Sequence, residues 1–279
     1  MKISDRLRIC AGTHRVALCV GATGLIACGG GPVEWRGEPQ RLDVPAVTGE
    51  AVGPVDARLS LSQDGAPMLE SMPVVATTPA DTAACVGSLR VAALSATELY
   101  AVWWSRRENG RAALVSSRSD DAGTTWNRIV PVDTLDRGAM SCSRPAPSIA
   151  ADDKSGYVHV TYFLHGPDGP GVFFSHSMER GELFHAPVPI MYGDRPSASA
   201  VTSADSVVVV AFEDPNSARK QIMLAMSRTW GHIFSRERLD VSAGTPMAEH
   251  PFVALRAPFV AVAWQTPDKS VVARVGSLR

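Results

Sequence analysis

Ser119-Asp120-Asp121-Ala122-Gly123-Thr124-Thr125-Trp126 sets a hydroxyl, a carboxylate, a glycine and an indole at fixed offsets. This order reads as a tight turn. The side chains of Ser119 and Asp121 accept hydrogen bonds from turn N–H groups, and Gly123 takes a positive φ without steric cost. Trp126 supplies a flat ring to lie against neighbouring strands. Weaker copies stand at Ser177-Met178-Glu179-Arg180-Gly181-Glu182-Leu183-Phe184 and Ser227-Arg228-Thr229-Trp230-Gly231-His232-Ile233-Phe234, which keep serine, glycine and a terminal aromatic while the acid varies. Ser277 stands where another would begin. The serines are 58, 50 and 50 residues apart, near the ~40–50-residue period of a small sheet repeated around an axis.

Laid over one another, the repeats align strand by strand. Arg90–Ala93, Ser148–Ala151, Ser199–Thr202 and Phe252–Leu255 are runs of small and branched residues suited to a crowded inner position. Each is followed by a β-branched and aromatic run, at Leu99–Trp104, Val158–Phe163, Val207–Phe212 and Val260–Trp264. Third strands are expected at Ala112–Ser116, Gly171–Ser175, Gln221–Ala225 and Val271–Val275, and the quoted turns lead into fourth strands such as Arg128–Val132. No amphipathic helix of useful length interrupts this order.

At every defined position Ser119–Trp126 resembles the Asp box, S/T-x-D-x-G-x-T-W, of the sialidase-type β-propellers, with Ser119, Asp121, Gly123 and Trp126 as its structural residues. The resemblance implies an all-β propeller of four-stranded antiparallel blades, about four to five of them, against six in the sialidases of the family. The last repeat ends at Arg279 without its outermost strand. The segment Asp56–Thr78, with Ala57–Ser62 and Met72–Ala76 flanking the Gln63-Asp64-Gly65 turn signal, is expected to pair there and close the ring.

The first residues read as a leader. Lys2, Arg6, Arg8 and Arg15 precede an apolar run, Val16–Ala27, that is too short to span a bilayer. Leu25-Ile26-Ala27-Cys28 resembles a bacterial lipobox, which implies a diacylated Cys28 as the mature N-terminus and a lipid-anchored protein of the cell envelope, facing the periplasm or outer membrane if there are two membranes. Residues 1–27 are then signal peptide, 28–55 a Gly- and Pro-rich flexible tether, and 56–279 the propeller. Removing the leader takes the formal net charge from −1 to −4, which excludes nucleic acid as a natural partner. Cys85 and Cys142 are the cysteines left and can form a disulfide in an oxidising envelope; their separation of 57 residues leaves the pairing open until their Cα atoms are known to lie within about 7 Å.

A binding face is expected opposite the Asp boxes, where the loops entering the inner strands repeat a cation or histidine before proline: Arg144-Pro145, Arg195-Pro196 and His250-Pro251. Guanidinium forks grip carboxylates bidentately, and the resemblance points the same way, because family sialidases hold a substrate carboxylate with an arginine triad. Arg144, Arg195 and His250 are candidates for such a set, with Arg106 or Arg107 as substitutes. The alternative is that Arg144 and Arg195 are structural, tied to carboxylates or carbonyls. A catalytic set is not evident: the family's Arg-Ile-Pro motif is missing, and Tyr192, Glu213, Asp194 and Asp214 match its tyrosine, glutamate and acid in type but not in spacing. Without Gly-x-Ser-x-Gly, His-Glu-x-x-His or a phosphate loop, neither a cofactor nor a metal is expected. Three readings follow: a propeller that binds a glycan, an acidic small molecule or an envelope protein; an exo-sialidase-like glycoside hydrolase; or an envelope scaffold.

Overall fold

The computed structural model describes residues 31–44, 57–71, 75–85, 87–138 and 142–279. The leader, Cys28 and residues 45–55 of the expected tether lie outside the described residues. Pro32–Arg279 is one compact unit, and its described residues contain eighteen strands and no helix. The first strand, β1 (Val33–Leu42), is followed by a hairpin of β2 (Ala57–Leu61) and β3 (Pro67–Ser71). Three meanders follow. The first is β4 (Arg90–Ala93), β5 (Leu99–Arg106), β6 (Ala112–Ser119) and β7 (Val130–Asp133); the second is β8 (Ser148–Ala151), β9 (Val158–Gly166), β10 (Gly169–Ser177) and β11 (Val188–Tyr192). The third is β12 (Ser199–Ala204), β13 (Val207–Glu213), β14 (Ile222–Ser227) and β15 (Leu239–Asp240). The last sheet takes β16 (Glu249–Arg256), β17 (Phe259–Gln265) and β18 (Val271–Leu278) from the end of the chain, with β1 as its fourth strand.

That fourth strand corrects two expectations. Val33 lies opposite Leu278 and Leu42 opposite Val271, so residues 33–42 are sheet rather than tether, and they, not Asp56–Thr78, cover the edge of β18. Val33 and Leu42 are buried there, and Trp35 packs on the same core. Pro39 argued for a tether, but β1 is an edge strand whose register breaks between Arg36 and Gln40, where a missing N–H is tolerated. The segment expected to close the ring pairs with itself instead, Leu59 opposite Leu69, because the Ser62–Ala66 turn closes a far shorter loop than any partner at the other end of the chain. The second strand of this hairpin falls at Pro67–Ser71, and of the expected run Met72–Ala76 residues 72–74 lie outside the described residues.

The second strands show why the sheets stack. Side chains alternate across a strand, and here both faces are apolar. Tyr100, Val102 and Trp104 of β5 pack with Val158, Val160 and Tyr162 of β9. Phe163 on the other side of β9 joins Val208, Val210 and Phe212 of β13. Val209 and Ala211 meet Val260, Val262 and Trp264 of β17, whose opposite face, Ala261 and Ala263, meets Leu59, Leu61 and Leu69 of the hairpin. One strand thus feeds two cores, which explains the near-continuous apolar runs of β5, β13 and β17; β9 alone of the four carries polar residues, the buried His159 and Thr161, in its run.

The three quoted turns all join the third strand of a sheet to the fourth, and they share one geometry. Ser119, Ser177 and Ser227 accept from the N–H of Gly123, Gly181 and Gly231 at 2.9, 3.0 and 3.1 Å. Asn127, His185 and Ser235 then donate back to Arg118, His176 and Met226 at 2.8, 2.9 and 2.8 Å. In the first turn Asp121 also receives the Thr125 N–H and hydroxyl, which hold its carboxyl down at about 2. Glycine is required for a second reason besides its positive φ: a Cβ on Gly231 would stand 2.4 Å from the Phe174 ring, and one on Gly181 2.9 Å from Tyr100. The second and third turns are thus pressed onto the preceding sheet, whereas the first rests on Val75 and on Leu99 of its own sheet.

Candidate functional site

The innermost strands β2, β4, β8, β12 and β16 line one cavity of about 710 Å³, a size typical of small-molecule sites. Alanine recurs along it, at Ala92, Ala93, Ala150, Ala151, Ala200 and Ala254, because side chains from several strands converge there. Among the described residues lining it are Arg58, Arg90, Arg256 and His250, the hydroxyls of Ser60, Ser148, Ser199, Thr202 and Ser203, and no acidic side chain.

Register places these cations along the cavity. Ala93 of β4 lies opposite Leu99, which lies opposite Ser119, so inner strands end near the serine–glycine turns and begin at the other mouth. Arg58, Arg90 and His250 stand at or near the starts of β2, β4 and β16 and share that mouth, whereas Arg256 lies at the turn end, donating to the Leu61 carbonyl. Arg90 is steered by the carbonyls of Gly87 and Leu89 at 3.0 and 2.7 Å. Arg58 lies along Glu70 of β3 at 2.8 Å; the Ser60 hydroxyl, followed by Arg58 itself, holds the Glu70 carboxyl below its ordinary value.

His250 owes its place to Glu213. The buried carboxylate accepts the His250 N–H at 3.0 Å and the Ala198 N–H at 3.3 Å, tying two entering loops together, with Lys220 at 3.7 Å. His250 takes a φ of 52°, and its side chain is exposed. Glu213 thus acts as a clamp on backbone, not as a group presented to a ligand.

The other sequence candidates are distributed differently. Arg144 does not line the cavity: its guanidinium is buried in an ion pair with Asp136 and lies 5.6 Å from the Trp104 ring centre. Arg195 is exposed and donates to the Ala218 carbonyl at 2.9 Å. Arg106 and Arg107 are exposed where β5 leaves the sheet. Only His250 of the expected cation set reaches the cavity. The loops bearing Tyr192 and Asp194 and bearing Asp214 do meet, through Asn216 donating to the Tyr192 carbonyl at 2.7 Å and the Arg195 N–H to the Pro215 carbonyl at 3.3 Å. Yet Tyr192 packs edge-on against Phe173, and Asp214 accepts the Asn216 N–H. None of Tyr192, Glu213, Asp194 and Asp214 lines the cavity. Cys85 and Cys142 are joined as a disulfide, with their Cα atoms 5.1 Å apart, between the loops that enter β4 and β8.

Arg58 and Arg90 escaped the sequence reading. Arg90 opens an inner strand where the neighbouring repeats have Ser148 and Ser199, and that substitution was the available signal. Arg58 sits in a strict apolar–polar alternation, which marks a solvent-facing residue and says nothing of a shared cavity.

No family model matches the chain, and no curated protein matches it in sequence. Among solved structures it is similar to the Hadza microbial sialidase Hz136, with 14% identity and a TM-score of 0.48 over 65% of this chain and 42% of that one. It is also similar to the NanB sialidase of Streptococcus pneumoniae, with 10% identity and a TM-score of 0.48 over 73% and 52%. A structure from the GH130 family of mannoside phosphorylases aligns at 11% identity and a TM-score of 0.46 over 90% and 95%. The chain spans about half the length of the two solved sialidases. At these identities the likeness is one of fold, and no site residue is transferred from them.

Proposed function

We propose that this chain is a lipid-anchored envelope protein built as a five-bladed propeller, the β2–β3 hairpin being a reduced blade, that binds an acidic glycan or a related acidic small molecule in its central cavity. The observation that carries this reading is the mouth itself: Arg58, Arg90 and His250 share it, hydroxyls continue below, and among the described residues no carboxylate lines the walls. Guanidinium groups with an imidazole beside them at the mouth of a recess favour a carboxylated ligand, and serine and threonine hydroxyls suit sugar hydroxyls. The reading differs from the one drawn from sequence in which residues hold the anion. Arg90 and Arg58 take the places assigned to Arg144 and Arg195.

Calorimetric titration with N-acetylneuraminate, glucuronate and glucose tests it. The two acids bind and glucose does not, and Arg90→Gln weakens the acids at least tenfold. Equal binding of acidic and neutral sugars, or no loss in Arg90→Gln, refutes it. The anchor is read separately, by mass spectrometry of the N-terminal peptide and by release of a Cys28→Ser variant from membranes.

A further inference from the structure

The serine–glycine turns leave an apolar surface that the fold does not use. In the first turn the seventh position is Thr125, bonded to Asp121 through both N–H and hydroxyl. The same position is Leu183 in the second turn and Ile233 in the third, and these are 61% and 69% exposed. Met178 and Trp230 are exposed beside them on the same turns, and Trp230 lies 6.5 Å from the Tyr157 ring. Packing does not ask for aliphatic residues at these tips, since Phe184 and Phe234 already make the contacts with the cores beneath. The two turns belong to adjacent sheets, whose inner strands β8 and β12 pack side by side.

The chain enters the fold at this same end. Val33 pairs with Leu278, the turn end of β18, and the Pro32 carbonyl accepts the Arg279 N–H at 3.1 Å. Arg228, in the third turn, donates in its place to the Arg279 carbonyl. Pro32 is therefore one residue's contact away from the turn that carries Trp230 and Ile233. Three glycines separate Pro32 from Cys28 along the chain, four peptide steps with a reach of at most about 14 Å. An acyl chain on Cys28 holds this end, and not the cation-lined mouth, against the membrane.

We infer that the turn end is a membrane-docking surface, with Leu183, Trp230 and Ile233 seated in the headgroup layer of the bilayer and the cavity mouth facing away from it. This rests on the lipid-anchor reading and names the surface that the anchor presents. Apolar and indole side chains partition into the interfacial layer. Glu179 and Glu182 are matched by Arg180 and Arg228 on the same two turns, and a surface without net formal charge makes a zwitterionic headgroup such as phosphatidylethanolamine the fitting partner.

The test uses the full acylated protein reconstituted into phosphatidylethanolamine-rich vesicles with brominated acyl chains. Acylation is first verified by mass. Bromine quenches roughly one sixth of the intrinsic tryptophan emission, the share of Trp230 among six tryptophans; this component disappears in Trp230→Phe and in Leu183→Ser/Ile233→Ser, both of which stay on the vesicles through the acyl chains. Acylated, vesicle-bound protein without quenching overturns the docking surface and leaves the anchor standing. Quenching that persists in Trp230→Phe overturns it too, as does a dimer in solution that Leu183→Ser/Ile233→Ser dissolves, which assigns the patch to a second copy. A chain that carries no acyl group removes the anchor and this inference together.

Discussion

At the turn end three loops repeat one hydrogen-bond pattern, serine to glycine N–H and strand back to strand, with the glycine pressed onto the preceding sheet in the second and third. At the mouth end each entering loop is held by something different: a disulfide between Cys85 and Cys142, an ion pair between Arg144 and Asp136, and a carboxylate clamp from Glu213 onto His250 and Ala198. The difference teaches how such a molecule separates construction from use. Turns bonded within ten residues build three of the sheets alike. Longer-range links then hold individual loops in the particular shapes that make a cavity mouth.

Four experiments bear on that contrast, all read as unfolding free energy in denaturant. The largest effect is expected at the mouth. Arg144→Ala leaves Asp136 buried without its guanidinium, and about 3–5 kcal/mol is lost; unchanged stability with lost ligand binding would instead return Arg144 to the binding set. Replacing both Cys85 and Cys142 by alanine frees a 57-residue separation and removes about 3–4 kcal/mol. A loss under 1 kcal/mol would mean that the loops entering β4 and β8 are held by packing alone.

Next in size is a glycine pair that compares the two ends directly. Gly231 and Gly87 have nearly the same φ, 88° and 84°, but a Cβ meets Phe174 at the first and nothing within 4 Å at the second. Gly231→Ala therefore costs about 2–3 kcal/mol, backbone strain plus collision, and Gly87→Ala about 1 kcal/mol, backbone strain alone. Equal losses would show that the turn is not wedged onto the neighbouring sheet.

The smallest effect at neutral pH, and one that grows on acidification, is the acid response of the turn end. Burial, with neighbouring imidazoles adding to it, holds His159 down at about 3 and His176 at about 4. Neither His159 ring nitrogen has a hydrogen-bond partner among the described residues. Both stay neutral in the fold while the unfolded chain takes up protons below about 6.5, so stability falls as pH drops from about 6.5 towards 4. Each histidine contributes a slope of roughly 1.4 kcal/mol per pH unit in that window. His159→Leu should flatten the profile, and an unaltered slope would place the response elsewhere.

Much of the strand order was legible because it is written in short-range terms. Arg90–Ala93 and Ser148–Ala151 are observed strands with the expected limits, since inner strands need small residues and second strands need two apolar faces. The serine–glycine–aromatic offsets placed three turns for the same reason: all the partners lie within one turn. The N-terminal part was misread where composition spoke against structure. Pro39 and the nearby glycines describe a tether, and only the vacant edge of β18, some 230 residues away, makes residues 33–42 a strand. The site was half legible. His250 came from a repeat of cation before proline, but the same repeat promoted Arg144, whose partner Asp136 could be recognised only once the two were brought together.

By itself the sequence determined the repeat, its strands and its turns, because each is specified by side chains within about fifty residues of one another. Which sheet receives the first strand, which arginines face the common cavity and which are consumed in ion pairs were decided by the tertiary structure. Those outcomes depend on how five sheets converge, and convergence brings together residues that no local pattern relates.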